Sequence, residues 1–303
     1  MKKTVGFIGL GNMGLNMVLH LLDKGYDVHA WNRSPEPRAE AAKGGAKVYE
    51  ELNELTAALP KPRIIFSMVA AEAVDEVLEK VSGSLEKDDI FIDGVNSHFK
   101  DSIRRGEKLA QKGIYFIDCG VSGGIKAARE GACIMAGGDP GVFKTIEPMI
   151  ADMATPGGYG YFGPSGAGHY VKMVHNAIEY AMMQALGEGM NIIKASKYKE
   201  ADLTKLTDVW SHASIIAGNL VMFLHEFMKK DPELKTAPAA IGSLGTGKWA
   251  VNEALDLGVP VTNIAASVFN RFSSRGNDEF ARKVISALRA EFGGHNENER
   301  DHK

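Results

Sequence analysis

In the first half of the chain, short apolar runs alternate with amphipathic stretches. Positions 4–9 (Thr-Val-Gly-Phe-Ile-Gly) predict a buried strand, 12–24 a helix, and 26–31 (Tyr-Asp-Val-His-Ala-Trp) a second strand. Further strand-like runs fall at 64–69, 90–93 and 115–118, each separated from the next by helical patterning. Strands that alternate with helices predict a parallel, doubly wound sheet. The segment 155–168 carries six glycines and two prolines and reads as a turn-rich boundary. Beyond it the periodicity is helical, over 168–195, 202–230, 246–257 and 262–292. The expected fold class is α/β, with an N-terminal doubly wound parallel sheet followed by an all-α domain.

Length agrees with this division. A chain of 303 residues exceeds one small core, and the pattern divides it into domains at 1–163 and 164–295, with a polar tail at 296–303. The net charge of −3 points to neither a nucleic-acid nor a membrane surface. Cys119 and Cys133 are too few for a disulfide framework or a thiolate zinc site, and a reducing, cytoplasmic compartment is expected. Gly6, Gly9, Gly11 and Gly14 interrupt the apolar run after Met1-Lys2-Lys3, so it reads as a first strand and its turn rather than a leader. No run of 18 apolar residues is present. The nine histidines show no metal-ligand spacing, and no metal is expected.

Gly9-Leu10-Gly11-Asn12-Met13-Gly14 is a G-x-G-x-x-G placed between a strand and a helix, the signature of a Rossmann dinucleotide site. Gly9 would make the turn, Gly11 would let backbone approach a pyrophosphate on the helix N-terminus, and Gly14 would allow close packing of helix on strand. Asn12 and Met13 open that helix, and Val69, closing the run 64–69, is assigned to the same site. At the end of the second strand, Asn32-Arg33-Ser34 offers no carboxylate for a ribose 2′-hydroxyl. It offers a guanidinium and two hydrogen-bonding side chains for a 2′-phosphate. NADP is therefore expected ahead of NAD.

Residues 166–180 place Lys172, His175, Asn176 and Glu179 on one helical face with Tyr180 at its edge, and Val171, Val174, Ala177, Ile178 and Ala181 on the other. A plain amphipathic helix would turn the polar face to water. The alternative is chemical. Seven residues are about 10 Å of helix rise, so a lysine base and a glutamic acid could work at opposite ends of one small substrate. Such a lysine must begin neutral. Val121-Ser122-Gly123-Gly124 could hold a carboxylate, and Gly245-Thr246-Gly247-Lys248-Trp249 forms a candidate anion site whose glycine spacing is not that of a Walker loop.

These segments, with 91–97 (Phe-Ile-Asp-Gly-Val-Asn-Ser) and 258–262 (Gly-Val-Pro-Val-Thr), resemble the decarboxylating 6-phosphogluconate dehydrogenases in their short form, over residues 4 to 295. The resemblance implies oxidative decarboxylation of 6-phosphogluconate to ribulose 5-phosphate and carbon dioxide, with reduction of NADP, in the pentose phosphate pathway. It implies that Lys172 is the general base and Glu179 the proton donor. Ser122, Gly123, Gly124, His175 and Asn176 would hold the substrate's carboxylate and hydroxyls, and Asn96 would lie between cofactor and substrate. Tyr180, Lys248 and Arg271 would bind its phosphate, together with Arg289 and His295 from a partner subunit. The assembly implied is a homodimer with composite active sites, or a tetramer built from it. Ala250 departs from the long form, which carries a threonine there. The alternatives are a non-decarboxylating β-hydroxyacid dehydrogenase or imine reductase, which would lack the Lys-x-x-His-Asn-x-x-Glu pattern together with the basic tail, and a non-catalytic NADP-binding sensor.

Overall fold

The computed structural model describes residues 3–293. The chain forms two compact units that meet in sequence between His175 and Asn176. The first is built on strands β1 (Thr4–Ile8), β2 (Asp27–Trp31), β3 (Lys47–Tyr49), β4 (Ile64–Ser67), β5 (Ile90–Asp93), β6 (Tyr115–Ser122), β7 (Ala132–Gly138) and β8 (Ala154–Tyr161). Between them run helices α1 (Asn12–Asp23), α2 (Pro35–Lys43), α3 (Leu52–Ala58), α4 (Val74–Ser82), α5 (Phe99–Ala110), α6 (Gly124–Glu130) and α7 (Pro140–Met153). Helix α8 (Ala167–Ala195) begins in this unit and continues into the second. There follow α9 (Leu203–Ser211), α10 (Asn219–Met228), α11 (Thr246–Leu257), α12 (Thr262–Ser273) and α13 (Glu279–Gly293).

The strand order is β3-β2-β1-β4-β5-β6-β7-β8. The sheet is parallel from β3 to β6, then β7 pairs antiparallel with β6, and β8 pairs parallel with β7. The expected doubly wound sheet is present with a reversal at one side. Alternation along the strands supplies both faces. Ile90, Ile92, Ile117, Cys119 and Val121 belong to one buried cluster with side chains of α1, α6 and α7. Phe91 and Phe116 belong to another with side chains of α3, α4 and α5.

Several elements differ from the pattern-based expectation. The turn-rich segment 155–168 is a boundary only from residue 162 onward, because Ala154–Tyr161 is strand β8. Its glycines and Pro156 are tolerated at the last position of the sheet, where one side of the ladder needs no partner. The helical run 202–230 is broken into α9 and α10, and 262–292 into α12 and α13. In the second unit Met190, Leu203 and Met228 form a small core, with Ile193, Leu206, Trp210 and Leu224 packed around it.

Helix α8 is seated on β6 with little space to spare. The fully buried Asp118 carboxylate accepts hydrogen bonds from the backbone N–H of Gly166 (2.7 Å) and of His169 (2.8 Å), satisfying donors that the first turn would otherwise leave unpaired. His169 is buried, with Nδ1 2.7 Å from Ser102 Oγ of α5. A Cβ on Gly168 would lie 2.5 Å from the Met135 carbonyl and 2.6 Å from that of Asp118, so only glycine fits. Replacing Asp118 with Ala leaves two buried donors without an acceptor. It should cost about 3 kcal/mol and lower the melting temperature by roughly 6–12 °C, measured by calorimetry.

Candidate active site

The glycine-rich turn joins β1 to α1 as its spacing requires. Gly9 adopts φ +97°, and a Cβ there would meet the Met68 carbonyl oxygen at 2.6 Å. A Cβ on Gly14 would collide with the Gly9 carbonyl, whereas Gly11 faces open space. The α1 N-terminus has no acidic residue in its first turn and no capping side chain, so its N–H groups are available to an anion. Asn12 is exposed and Met13 half-buried beside them. The Asn32 carboxamide oxygen accepts from Leu10 N–H at 2.9 Å and so ties the turn to the end of β2. Arg33 and Ser34 stand exposed just beyond. Val69 is partly buried against the core beside β4. Asn96 follows β5, and its side-chain oxygen is buried without a hydrogen-bond partner, as a group awaiting a ligand's donor would be. An open glycine at a helix N-terminus with no acidic residue in its first turn and an orphaned amide oxygen together fit a dinucleotide.

The first turns of α8 run alongside β6. Alternate strand residues Asp118, Gly120 and Ser122 share one face of the sheet. Asp118 meets Gly166 and His169, Gly120 meets Lys172, and Ser122 meets His175. Any Cβ on Gly120 would overlap the Lys172 side chain. Lys172 is only 5% exposed. Its Nζ lies 3.4 Å from His175 Nδ1, and His175 Nε2 lies 3.3 Å from Ser122 Oγ. After Ser122 the backbone turns through Gly123 (φ +116°) and Gly124 (φ +72°) into α6, conformations that favour glycine.

The rest of the helix inverts the ordinary amphipathic arrangement. Lys172, Asn176 and Tyr180 are buried, while Val174 is 38% and Ile178 49% exposed. Of the apolar residues on the opposite face, Ala177 is buried but Val174 and Ile178 point to the surface of the chain. A simple solvated polar face is thereby excluded. Glu179 is partly buried one turn beyond His175 and Asn176.

The second unit gathers the remaining predicted residues only in part. The Arg271 guanidinium stacks over the Tyr180 ring, 3.7 Å from its centroid, and donates to the Gly242 carbonyl at 2.7 Å. A Cβ on Gly247 would come within 2.7 Å of the same ring. Ser243 Oγ lies 3.4 Å and Thr246 Oγ1 3.5 Å from Tyr180 Oη. These two hydroxyls were not singled out from the sequence as site residues; Thr246 stands in the candidate anion segment 245–249, whereas a serine in a loop carries no signal of its own in the sequence. Lys248 is exposed in the first turn of α11, and Arg289 is exposed on α13. His295 lies outside the described residues. Among the described residues no three His, Cys, Asp or Glu side chains cluster to hold a metal ion, and no helix is long and apolar enough to cross a membrane.

Residues 4–163 match the family model of the NAD binding domain of 6-phosphogluconate dehydrogenase. Residues 168–302 match that of the 6-phosphogluconate dehydrogenase C-terminal domain. The NAD(+)-dependent, decarboxylating 6-phosphogluconate dehydrogenase of Haloferax volcanii is 39% identical, with 96% of this chain aligned to 97% of that protein. The NADP(+)-dependent, decarboxylating enzyme of Bacillus subtilis is 40% identical, over 92% of this chain and 62% of its own length. The solved structure of Plasmodium falciparum 6-phosphogluconate dehydrogenase superposes with a TM-score of 0.81 at 30% identity, covering 96% of this chain and 65% of that one. The chain thus spans nearly the whole Haloferax volcanii relative but under two thirds of the two longer ones. With both halves matched in order, the chain belongs to the 6-phosphogluconate dehydrogenase family of NAD(P)-dependent oxidoreductases.

Proposed function

We propose that this chain oxidises and decarboxylates 6-phosphogluconate to ribulose 5-phosphate and carbon dioxide, with NADP as acceptor. The observation that carries the reading is the buried Lys172, packed on Gly120 and linked through His175 to Ser122, on the helix that also carries Glu179. In this reading residues 1–163 bind the dinucleotide and 164–295 form the substrate-binding and dimerisation domain. Gly9, Gly11, Asn12, Met13 and Gly14 hold the pyrophosphate, Val69 and Asn96 flank the nicotinamide side, and Asn32, Arg33 and Ser34 surround the 2′-phosphate. The bound nucleotide supplies the hydride acceptor.

Lys172 takes the proton of the 3-hydroxyl as carbon 3 is oxidised. It can do so only from the neutral amine. The resulting lysine ammonium then polarises the 3-keto oxygen, so that the carbon–carboxylate bond breaks with its electron pair delocalised into an enediol. Glu179 delivers a proton to the carbon that lost carbon dioxide. Ser122, the Gly123 and Gly124 N–H groups, His175 and Asn176 orient the carboxylate and hydroxyls. Tyr180, Arg271 and Lys248 receive the phosphate, and the hydroxyls of Ser243 and Thr246 lie beside the Tyr180 hydroxyl. Arg289 and His295 act on the site of a second copy, in a cytoplasmic homodimer. The exposed Ile192, Phe269, Phe280 and Ile285 supply apolar surface for that association.

The deciding assay supplies 6-phosphogluconate with each cofactor and follows reduced nucleotide and carbon dioxide together. Equal yields are expected; reduction without carbon dioxide would indicate a non-decarboxylating relative. Lys172→Met should abolish turnover while nucleotide binding, read by fluorescence titration, persists. Arg33→Ala should reduce the NADP-over-NAD ratio of kcat/KM by roughly 10- to 100-fold, the worth of a charge-assisted phosphate contact. A ratio unchanged by that substitution would place the discrimination elsewhere. Truncation before Arg289 should raise the KM for 6-phosphogluconate at least tenfold, on the order of one lost charged phosphate contact; unchanged kinetics would remove the tail from the site.

A further inference from the structure

Beneath the turn that carries Asn96 lies a buried polar network to which the mechanism above gives no part. Arg105, on α5, is only 3% exposed. Its Nη1 donates to Ser97 Oγ at 2.9 Å and to Asp93 Oδ2 at 3.3 Å, and Ser97 Oγ donates to Asp93 Oδ2 at 2.8 Å. Asp93 is fully buried, and its other oxygen accepts from Val95 N–H at 3.3 Å. The same guanidinium reaches α4, where Nε donates to Asp75 Oδ1 at 2.9 Å and Nη2 to Asp75 Oδ2 at 3.2 Å. Arg104 adds a further bond to Asp75 at 2.8 Å. The two arginines hold the Asp75 carboxyl well below the usual carboxylate range, so it is ionised at neutral pH.

The topology gives this network a direction. Asp93 and Ser97 bracket Asn96, whose side-chain oxygen is the buried atom without a partner. Gly94 N–H donates to the Ser67 carbonyl at 2.8 Å, and a Cβ on Gly94 would press on the Phe66 ring and the Met68 sulfur. The turn after β5 is thus laid on the end of β4. Helix α4, bearing Asp75, follows the loop that leaves β4. Arg105 therefore ties the turn after β5 to the first turn of α4, elements that follow two adjacent parallel strands at their carboxyl ends, where α/β sheets bind their ligands.

We propose that Arg105 is a positioning residue that clamps the 93–97 turn and so sets the placement of the Asn96 side chain toward the nicotinamide half of the bound nucleotide. The inference rests on the dehydrogenase reading for Asn96 and goes beyond it. The fork shape of the guanidinium is essential, since one edge serves Asp75 while the remaining nitrogen serves Asp93 and Ser97. A lysine keeps the charge and cannot hold both sides.

Arg105→Lys tests this by ligand binding and by kinetics. NADPH should bind at least fivefold more weakly, while 2′,5′-ADP, which lacks the nicotinamide half, should bind within twofold of wild type. The kcat should fall on the order of 100-fold, as expected for a displacement of about 1 Å at a reacting group. In an Asn96→Ala background the same substitution should cost less than threefold, because the group it positions is gone. Equal weakening of both ligands, or an undiminished loss in the Asn96→Ala background, would overturn the proposal and leave a merely structural arginine. If Arg105→Lys does not fold, Asp75→Asn opens the outer side of the clamp at a half-exposed position, and the same contrasts apply. Absence of wild-type turnover with 6-phosphogluconate would sink the substrate reading alone, since the two-ligand contrast needs no turnover.

Discussion

The seat of α8 on β6 is the constraint on which the site depends. A carboxylate with no exposure to water is tolerated at Asp118 because two backbone N–H groups at a helix start point at it. The same two bonds hold the helix against the sheet closely enough that Gly168 and Gly120 can be nothing larger. Lys172 is buried because of that approach, and its neighbours His175 and Ser122 meet because the helix stays alongside the strand for two further turns. The chemistry assigned to the lysine is in this sense a property of its backbone address.

The nucleotide half works on the opposite logic. There the protein holds space open and donors exposed, at Gly11 and the uncapped start of α1. What is rigid is the frame behind them: Asn32 bonded to Leu10 N–H, Gly9 against Met68, and the Arg105 network under Asn96. Relatives in the family are named for either nucleotide. That is intelligible if the pyrophosphate cradle is common to both and the choice falls to a few exposed side chains such as Arg33, which the frame does not constrain.

Much of this was legible in the sequence, and the rest was hidden for identifiable reasons. The glycine turn could be read because Gly9 and Gly14 answer separate steric demands and Gly11 leaves room beside the helix start. The polar face of α8 could be read from spacing, although its burial could not, since periodicity gives faces without saying which is inside. Strand β8 was hidden because Ala-Thr-Pro-Gly-Gly-Tyr-Gly-Tyr has the composition of a turn, and only its place at the sheet's end makes it a strand. Arg104 and Arg105 are alike in sequence, yet one side chain is 53% and the other 4% exposed. Only packing separates a solvated arginine from a clamp.

The strand reversal at β7 has a geometrical outcome. Were β7 and β8 parallel to the others, the chain would leave the sheet at the same edge as the glycine turn and Asn96, and the next helix would have to travel away from them. Because both strands run backwards, the chain emerges at the far edge, near the start of β6. Helix α8 then climbs toward the ligand edge in step with the strand beneath it. Each pair of strand residues advances about 6.6 Å, and the helical residues they meet, His169, Lys172 and His175, are three apart, about 4.5 Å of rise. From Asp118 to Ser122 the two structures act as a pair of graduated rules laid side by side. A single residue inserted between Asp118 and Gly120, or between His169 and Lys172, would deliver a different side chain to the place that Lys172 now occupies.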